Sequence, residues 1–416
     1  MSGVAALVTA CTVLVPLAVI PDLLDRFHVV KESIMRAEAI LGAFLVLAAL
    51  DTERLRKMLR ERVLLALIAA AVLWTGITAL TSTSRASSND SFVSVMTSAL
   101  LFLVIWYAAP RIGLLIVDLL VPVVLVNAGL AALQEYAIYD PFLHGDPLLA
   151  QHLKATGLIG NPNVVGSWMT LAAMILAAAA VRVPGWRRWL YILGAIVATA
   201  SVLVSLTRTA LIALAAGLLL LAIGRSVKRA AAVLIALAIL AGAGIGFRIP
   251  LVMNVLQVPR LAAEGGLENA SSGRVAPALA AWEMFRDHPW TGVGPGAYHY
   301  GYTAYKTRVW ERYGNAIRGT TPTTFGDAHN DHLQLLAETG VPGYLLFLGV
   351  IAALWLAVRQ GSGDDVRSRI ARTLVVPVSG TFLMLALAQF PLHLAVTRHL
   401  LVTFAGLAIG WSRPWE

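Results

Sequence analysis

Charge is scarce in this chain. Only 13% of its 416 residues are Asp, Glu, Lys or Arg, while 58% are apolar. So few charges cannot cover the surface of a soluble protein of this length. Cysteine is scarcer still. Cys11 stands alone, which excludes an intrachain disulfide and any cluster of thiolate ligands; it reads as a small buried apolar residue. There is no repeat of fixed period and no low-complexity tail. The first apolar segment lacks a basic leading region and a clear small-residue cleavage site, so it reads as a retained span and not as a signal peptide.

What the chain does have is long apolar runs. About 20 apolar residues cross a bilayer as a helix, and a helix satisfies its own backbone polar groups in lipid. Twelve intervals qualify: 3–20, 34–50, 63–81, 92–109, 113–134, 164–181, 189–206, 209–223, 230–249, 340–358, 373–391 and 394–412. The expected fold is all-α, a polytopic membrane protein of about 12 spans forming one integral membrane domain over 1–416. Two polar excursions interrupt it, a short one near 135–162 and a long one over 250–339, between the ninth and tenth spans. Within the long one, Pro277–Asp287 has the apolar spacing of a helix. It is followed by the breaker run His288–Pro289 and Gly292–Gly296.

Basic residues set the expected orientation. Arg54, Arg56, Lys57, Arg60 and Arg62 follow the second span. Alternate loops then carry Arg111; Arg182, Arg187 and Arg188; Arg225, Lys228 and Arg229; and Arg359, Arg367, Arg369 and Arg372. Excess Lys and Arg in short loops marks the cytoplasmic side, so both termini are expected inside and 250–339 outside. The net charge of +9 then reflects topology, and no nucleic-acid partner is expected.

Polar, titratable residues gather where the long excursion meets the tenth span, in Asp327–Ala–His–Asn–Asp–His–Leu–Gln–Leu–Leu–Ala–Glu338. At a membrane border such groups are costly unless they serve a water-facing site. His329 reads either as a histidine bridging a loop or as a general base, since imidazole titrates near neutral pH. Asn330 is a candidate to orient substrate or loop, and Glu338 to stabilise an imidazolium or cap the next helix. His329 and His332 with Asp327 or Asp331 would be a weak metal set, lacking a recognised ligand pattern; no metal or cofactor is expected. Arg208, between two apolar runs, reads as a snorkelling residue or as a fork for phosphate oxygens. Arg274 follows Ser271–Ser–Gly273, a plausible helix cap that would favour an anion; alternatively it is an ordinary loop arginine. The turn Thr156–Asn163 is punctuation, or, with Lys154, Asn161 and Asn163 on the outward side, a set of sugar or phosphate contacts. In the long excursion Arg286, Lys306, Arg308, Arg312 and Arg318 alternate with tyrosines and Trp310. That mixture suits carbohydrate or a membrane-interface belt.

The order of these pieces resembles the O-antigen ligase and polymerase superfamily of bacterial polysaccharide assembly. The carriers are Gly157–Leu–Ile–Gly–Asn–Pro–Asn163, Ser205–Leu–Thr–Arg208, Ser272–Gly–Arg274 with Trp282 and His288–Gly296, and His329–Asn330 with Leu333–Gln334 and Glu338–Thr–Gly340. The resemblance implies a metal-independent, inverting glycosyltransferase of the GT-C type in the bacterial inner membrane, with its active site facing the periplasm. It implies a glycan donor on undecaprenyl diphosphate, with His329 as catalytic residue and Arg208 and Arg274 holding the diphosphate. The chain ends at Glu416, just after the last span, which favours a ligase with lipid A-core as acceptor. A polymerase of the same superfamily and a transporter or flippase for polyprenyl lipids are the alternatives.

Overall fold

A computed structural model describes residues 3–413 apart from 22, 24, 143–153, 315–316 and 318–324. Part of the short excursion near 135–162, and Arg318, therefore lie outside the described residues. The described residues contain helices and no strand. In chain order the helices are α1 (Gly3–Leu17), α2 (His28–Ala48), α3 (Thr52–Met58), α4 (Arg62–Leu80), α5 (Arg85–Ala108), α6 (Leu115–Glu135), α7 (Pro162–Ala180), α8 (Trp186–Val204) and α9 (Arg208–Ile223). There follow α10 (Val227–Gly246), α11 (Pro250–Leu256), α12 (Val258–Ser271), α13 (Val275–Asp287), α14 (Tyr298–Tyr313), α15 (Asp331–Arg359), α16 (Val366–Leu385) and α17 (Ala395–Ser412). Several begin on a side-chain cap of the kind that satisfies the first unpaired amides. Asn161 accepts from the Asn163 amide, Ser226 from Arg229, Asn330 from Leu333 and Asp365 from Ser368.

All twelve expected intervals fall on helices, but the count of twelve spans is not reached. Among the described residues seven helices are long and apolar enough to cross a membrane: α4, α5 with the turn after it, α6, α7, α8, α10 and α15. α1 and α9 are apolar but shorter. The intervals 34–50, 373–391 and 394–412 lie on α2, α16 and α17. Glu38 lies within the run on α2 and Arg398 and His399 within that on α17, while α16 carries Arg369 and Arg372 just before its run. The structure pairs some of these groups internally, His399 Nε2 with Glu38 at 2.7 Å and Arg398 with Glu32.

Burial separates centre from rim. The most apolar stretch of α7 is 89% buried, that of α10 only 11%, so α7 is the central post and α10 faces outward. α17 lies on α5 through Gly406 and Gly410, four residues apart on one face. A Cβ on Gly410 would come within 2.2 Å of the Ala109 Cβ, and one on Gly406 within 3.1 Å of the Phe102 carbonyl. Close backbone approach through small residues is how helices associate where apolar burial alone gives no drive.

The basic loops meet at one end of the bundle. Arg182 donates to Thr373 at 2.6 Å, Arg367 to the Pro110 carbonyl at 2.9 Å, and Arg187 pairs with Asp118 at 3.1 Å. At the opposite end, α13 and α14 build a second small core from Ala276, Ala280, Met284, Tyr298 and Tyr302, with Ala337 of α15.

The polar start of α15 is joined to this second core by a break. Gly340 sits at φ 67°, ψ −173°. Pro342 has no N–H, so the Glu338 carbonyl loses its helical partner and accepts from the Gly294 amide at 3.0 Å. The Val341 amide turns to the Pro289 carbonyl at 2.8 Å, which frees the Ala337 carbonyl for the Val293 amide at 2.9 Å. The glycine turn 292–296 is thereby strapped across the helix break. A Cβ on Gly340 would lie 2.3 Å from the Trp290 carbonyl oxygen. Gly340→Ala is expected to destabilise the protein by roughly 1–3 kcal/mol, the cost of one strained backbone position. Thermal unfolding in detergent measures this; an unchanged melting temperature would show that the strap does not need glycine.

Candidate functional site

Three helix starts and one helix end converge away from the basic loops and line a cavity of about 590 Å³. Arg208 opens α9, Arg274 immediately precedes α13, and His329 and Asn330 precede α15. Leu387 and Ala388 follow α16. Residues separated by more than a hundred positions thus line one space. The rest of the wall is largely apolar and includes Ile212, Val255, Val258, Leu279, Trp282 and Leu333.

The two guanidinium groups have hydroxyl and amide partners but no carboxylate. Arg208 Nη2 donates to Ser272 Oγ at 2.6 Å, and Arg274 Nη2 to Asn163 Oδ1 at 3.2 Å. Neither makes an ion pair among the described residues. Burial, and then the neighbouring Arg208, push Arg274 below its ordinary pKa. Two half-buried cations with no counter-charge are an unfavourable arrangement that an anion in the cavity would relieve. The expected helix cap works differently from the sequence reading. Ser271 Oγ accepts from the Arg274 amide at 3.1 Å, but Glu268 Oε2 takes the amides of Val275 and Ala276 at 2.9 and 3.1 Å. The first amides of α13 are occupied, so attraction for an anion rests on the arginines.

His329 is held at φ 51°, a left-handed conformation uncommon outside glycine and concentrated at functional sites. Its ring packs edge-on to Phe390 at 4.8 Å and to Phe325 at 5.7 Å between centroids. Nδ1 is enclosed without a hydrogen bond, which leaves Nε2 as the nitrogen able to meet a ligand. Burial, then the Arg274 charge, push its pKa down to about 4 against an opposing pull from Asp327. The imidazole is therefore neutral at pH 7.

The remaining expected residues are placed apart from this group. Glu338 is buried and does not line the cavity; its carboxylate accepts from Gln334 Nε2 at 3.2 Å and lies 4.0 Å from His393. It neither caps α15 nor supports His329. Asp327 is the carboxylate that acts on His329, and Asn330 is the cap. His332 uses both ring nitrogens elsewhere, on Tyr344 at 3.0 Å and the Leu383 carbonyl at 3.1 Å, so it does not pair with His329. Asn161 caps α7 and Lys154 is exposed. Asn163 reaches the site through Arg274. Its turn is anchored from below, with the Gly157 amide on Gln134, the Leu158 amide on Asn127, and Lys31 Nζ on the Leu158 carbonyl at 2.8 Å.

Phe390, Lys31 and His393 were not singled out by the sequence. His393 and Lys31 had a usable signal, an ionisable residue at the edge of an apolar run. Phe390 had none.

The fold and site define a polytopic helical membrane protein with an unpaired cationic cavity at one end of its bundle. Residues 193–348 match the family model described as O-antigen ligase. The match begins inside α8, ends inside α15, and includes Arg208, Arg274 and His329. A comparison with curated proteins found no match.

Proposed function

We propose that the chain is an O-antigen ligase of the bacterial inner membrane. It transfers a glycan from undecaprenyl diphosphate to a sugar hydroxyl of lipid A-core on the periplasmic side. The observation that carries this reading is the convergence of two guanidinium groups lacking carboxylates and a neutral imidazole on one cavity with an apolar wall. Arginine forks match diphosphate oxygens, the apolar wall suits the start of a polyprenyl chain, and membrane lipids surround the rest.

In the proposed reaction, His329 Nε2 takes the proton of the acceptor hydroxyl as that oxygen attacks the anomeric carbon. The new C–O bond forms as the bond to the diphosphate oxygen breaks, and the electron pair leaves with the diphosphate. Arg208 and Arg274 stabilise the departing charge. One displacement inverts the anomeric centre.

The acid limb of this reaction carries the signature of the His329 environment. The neutral ring is the competent form, so activity is present above a pKa of about 4 and falls as pH drops through it. Since kcat/KM reports the free enzyme, its acid limb is expected near pH 4, well below an ordinary imidazole. Bound diphosphate is anionic and favours the imidazolium, so the limb of kcat lies higher. Arg274→Gln removes a charge that lowers the pKa and moves the kcat/KM limb upward. An acid limb at 6–7 in the wild type would contradict this environment.

The deciding experiment offers purified protein a lipid-linked glycan together with rough lipopolysaccharide, with a second lipid-linked glycan, or alone. Glycan on lipid A-core, undiminished by EDTA, is the expected result. Growth of the lipid-linked glycan without lipopolysaccharide would make the chain a polymerase, and no transfer in any arm would remove the enzymatic reading. Sidedness is testable in a Cys11→Ala background. A cysteine at Ser271 is expected to react with an impermeant reagent added from the periplasmic side, and one at Ser362 is not; the reverse pattern would put the cavity in the cytoplasm.

A further inference from the structure

We propose that Gln334 and His393 are positioning residues for His329, acting through a directed chain of hydrogen bonds that ends on Asp331. The proposal rests on the reading of His329 as the base.

Backbone amides only donate, and this orients the chain. Ala328 N–H donates to Gln334 Oε1 at 2.8 Å, so the Gln334 amide oxygen must face the residue before His329. Its nitrogen is thereby turned to His393 Nε2 at 3.1 Å, with Glu338 Oε1 at 3.2 Å and Asp327 Oδ1 at 3.4 Å as its other acceptors. An amide nitrogen also only donates. In the neutral ring His393 Nε2 accepts and Nδ1 donates to Asp331 Oδ1 at 2.7 Å. Burial opposes a charged ring, yet Asp331 and Glu338 raise the His393 pKa well above the ordinary imidazole value; the charged ring still donates Nδ1–H to Asp331, and its Nε2–H faces Glu338 at 4.0 Å, the carboxylate that also accepts from Gln334. The second Asp331 oxygen accepts from the Leu392 amide at 2.9 Å, and the Asp331 amide donates to the Ala386 carbonyl at 2.9 Å. Gln334 and Asp331 are buried at 2% and 1% exposure, so each contact is made away from water, where leaving one unmade is costly.

Both ends of this chain bear on His329. One end holds Ala328, which is fully buried and immediately precedes the strained φ of His329. The other end ties Asp331 to the segment 386–393, which carries Phe390 against the His329 ring. A strained conformation persists only where its surroundings over-determine it; here the anchor and the packing ring come from the same chain of bonds. Neither Gln334 nor His393 lines the cavity, so neither is assigned contact with substrate.

The test is a double-mutant cycle on purified full-length protein, reading kcat for transfer and, separately, the Kd for polyprenyl diphosphate. Gln334→Leu and His393→Ala are each expected to lower kcat at least ~10-fold, since a misplacement of about 1 Å can cost ~10², with Kd within about threefold of wild type. In a His329→Ala background the same substitutions are expected to cost nothing further, because they act through the missing ring. If Gln334→Leu fails to fold, as shown by lost diphosphate binding, Gln334→Glu serves. It keeps an acceptor for Ala328 and loses the donor to His393, so an intermediate loss of kcat is expected. Wild-type kcat in these variants, or an undiminished loss in the His329→Ala background, overturns the positioning role alone. Full activity of His329→Ala by itself overturns the base assignment, and the positioning role with it.

Discussion

His329→Ala is expected to lower transfer ~10²- to 10⁴-fold, the range for loss of a positioned base, while the diphosphate still binds. The two readouts separate because the proposed base and the proposed anion site are different groups. The arginines approach the cavity from α9 and from the start of α13, and neither hydrogen-bonds His329. Removing the ring also removes a neutral group beside Arg274, so no charge is lost from the anion site. His332→Ala provides the control. That ring is tied to Tyr344 and Leu383, so its loss is expected to lower thermal stability and to change transfer far less than His329→Ala. Rate measurements under saturating donor, paired with equilibrium binding of polyprenyl diphosphate, make the distinction. A His329→Ala enzyme with wild-type kcat would return the residue to a loop-bridging role.

Arg208→Ala and Arg274→Ala are each expected to weaken donor binding and transfer by ~10- to 100-fold, since a hydrogen bond to a charged group contributes roughly 1.5–3 kcal/mol. Lysine is expected to rescue only in part, because it keeps the charge and loses the fork. The two positions differ in the ligand-free protein. Arg274 is disfavoured by burial and by Arg208, so Arg274→Gln is expected to leave the melting temperature of the empty protein unchanged or higher. It should also abolish most of the stabilisation that added polyprenyl diphosphate gives the wild type. Function and stability would then oppose each other at one side chain. Near wild-type transfer by both alanine variants would exclude the diphosphate role, and a marked fall in melting temperature for Arg274→Gln would show the arginine to be structural.

Much of the molecule was legible before any coordinates. Apolar runs place every expected span on a helix, because hydropathy and helical backbone satisfaction are local constraints. The apolar spacing over 277–287 placed a helix that the structure extends to Val275–Asp287, and the glycines of 292–296, three of which have positive φ, marked the turn after it. The number of spans is not a local property. α2, α16 and α17 carry charges that the fold pairs internally, and no local pattern reveals a pairing partner hundreds of residues away, as for Glu32 with Arg398.

The sequence by itself determined the class of protein, the positions of its helices, and a short set of polar residues that lipid would not tolerate without a purpose. Tertiary structure decided which of those residues work together. It brought Arg208, Arg274, His329 and Asn330 to one cavity, left Lys154 and Asn161 outside it, and put Asp327 in the place considered for Glu338. It also gathered His393, Gln334 and Phe390 around the segment that carries His329. The reason is the range of the forces. Hydropathy and helix formation act over a few residues along the chain, whereas charge, packing and hydrogen bonding at this site act between segments that only folding brings within a few ångströms.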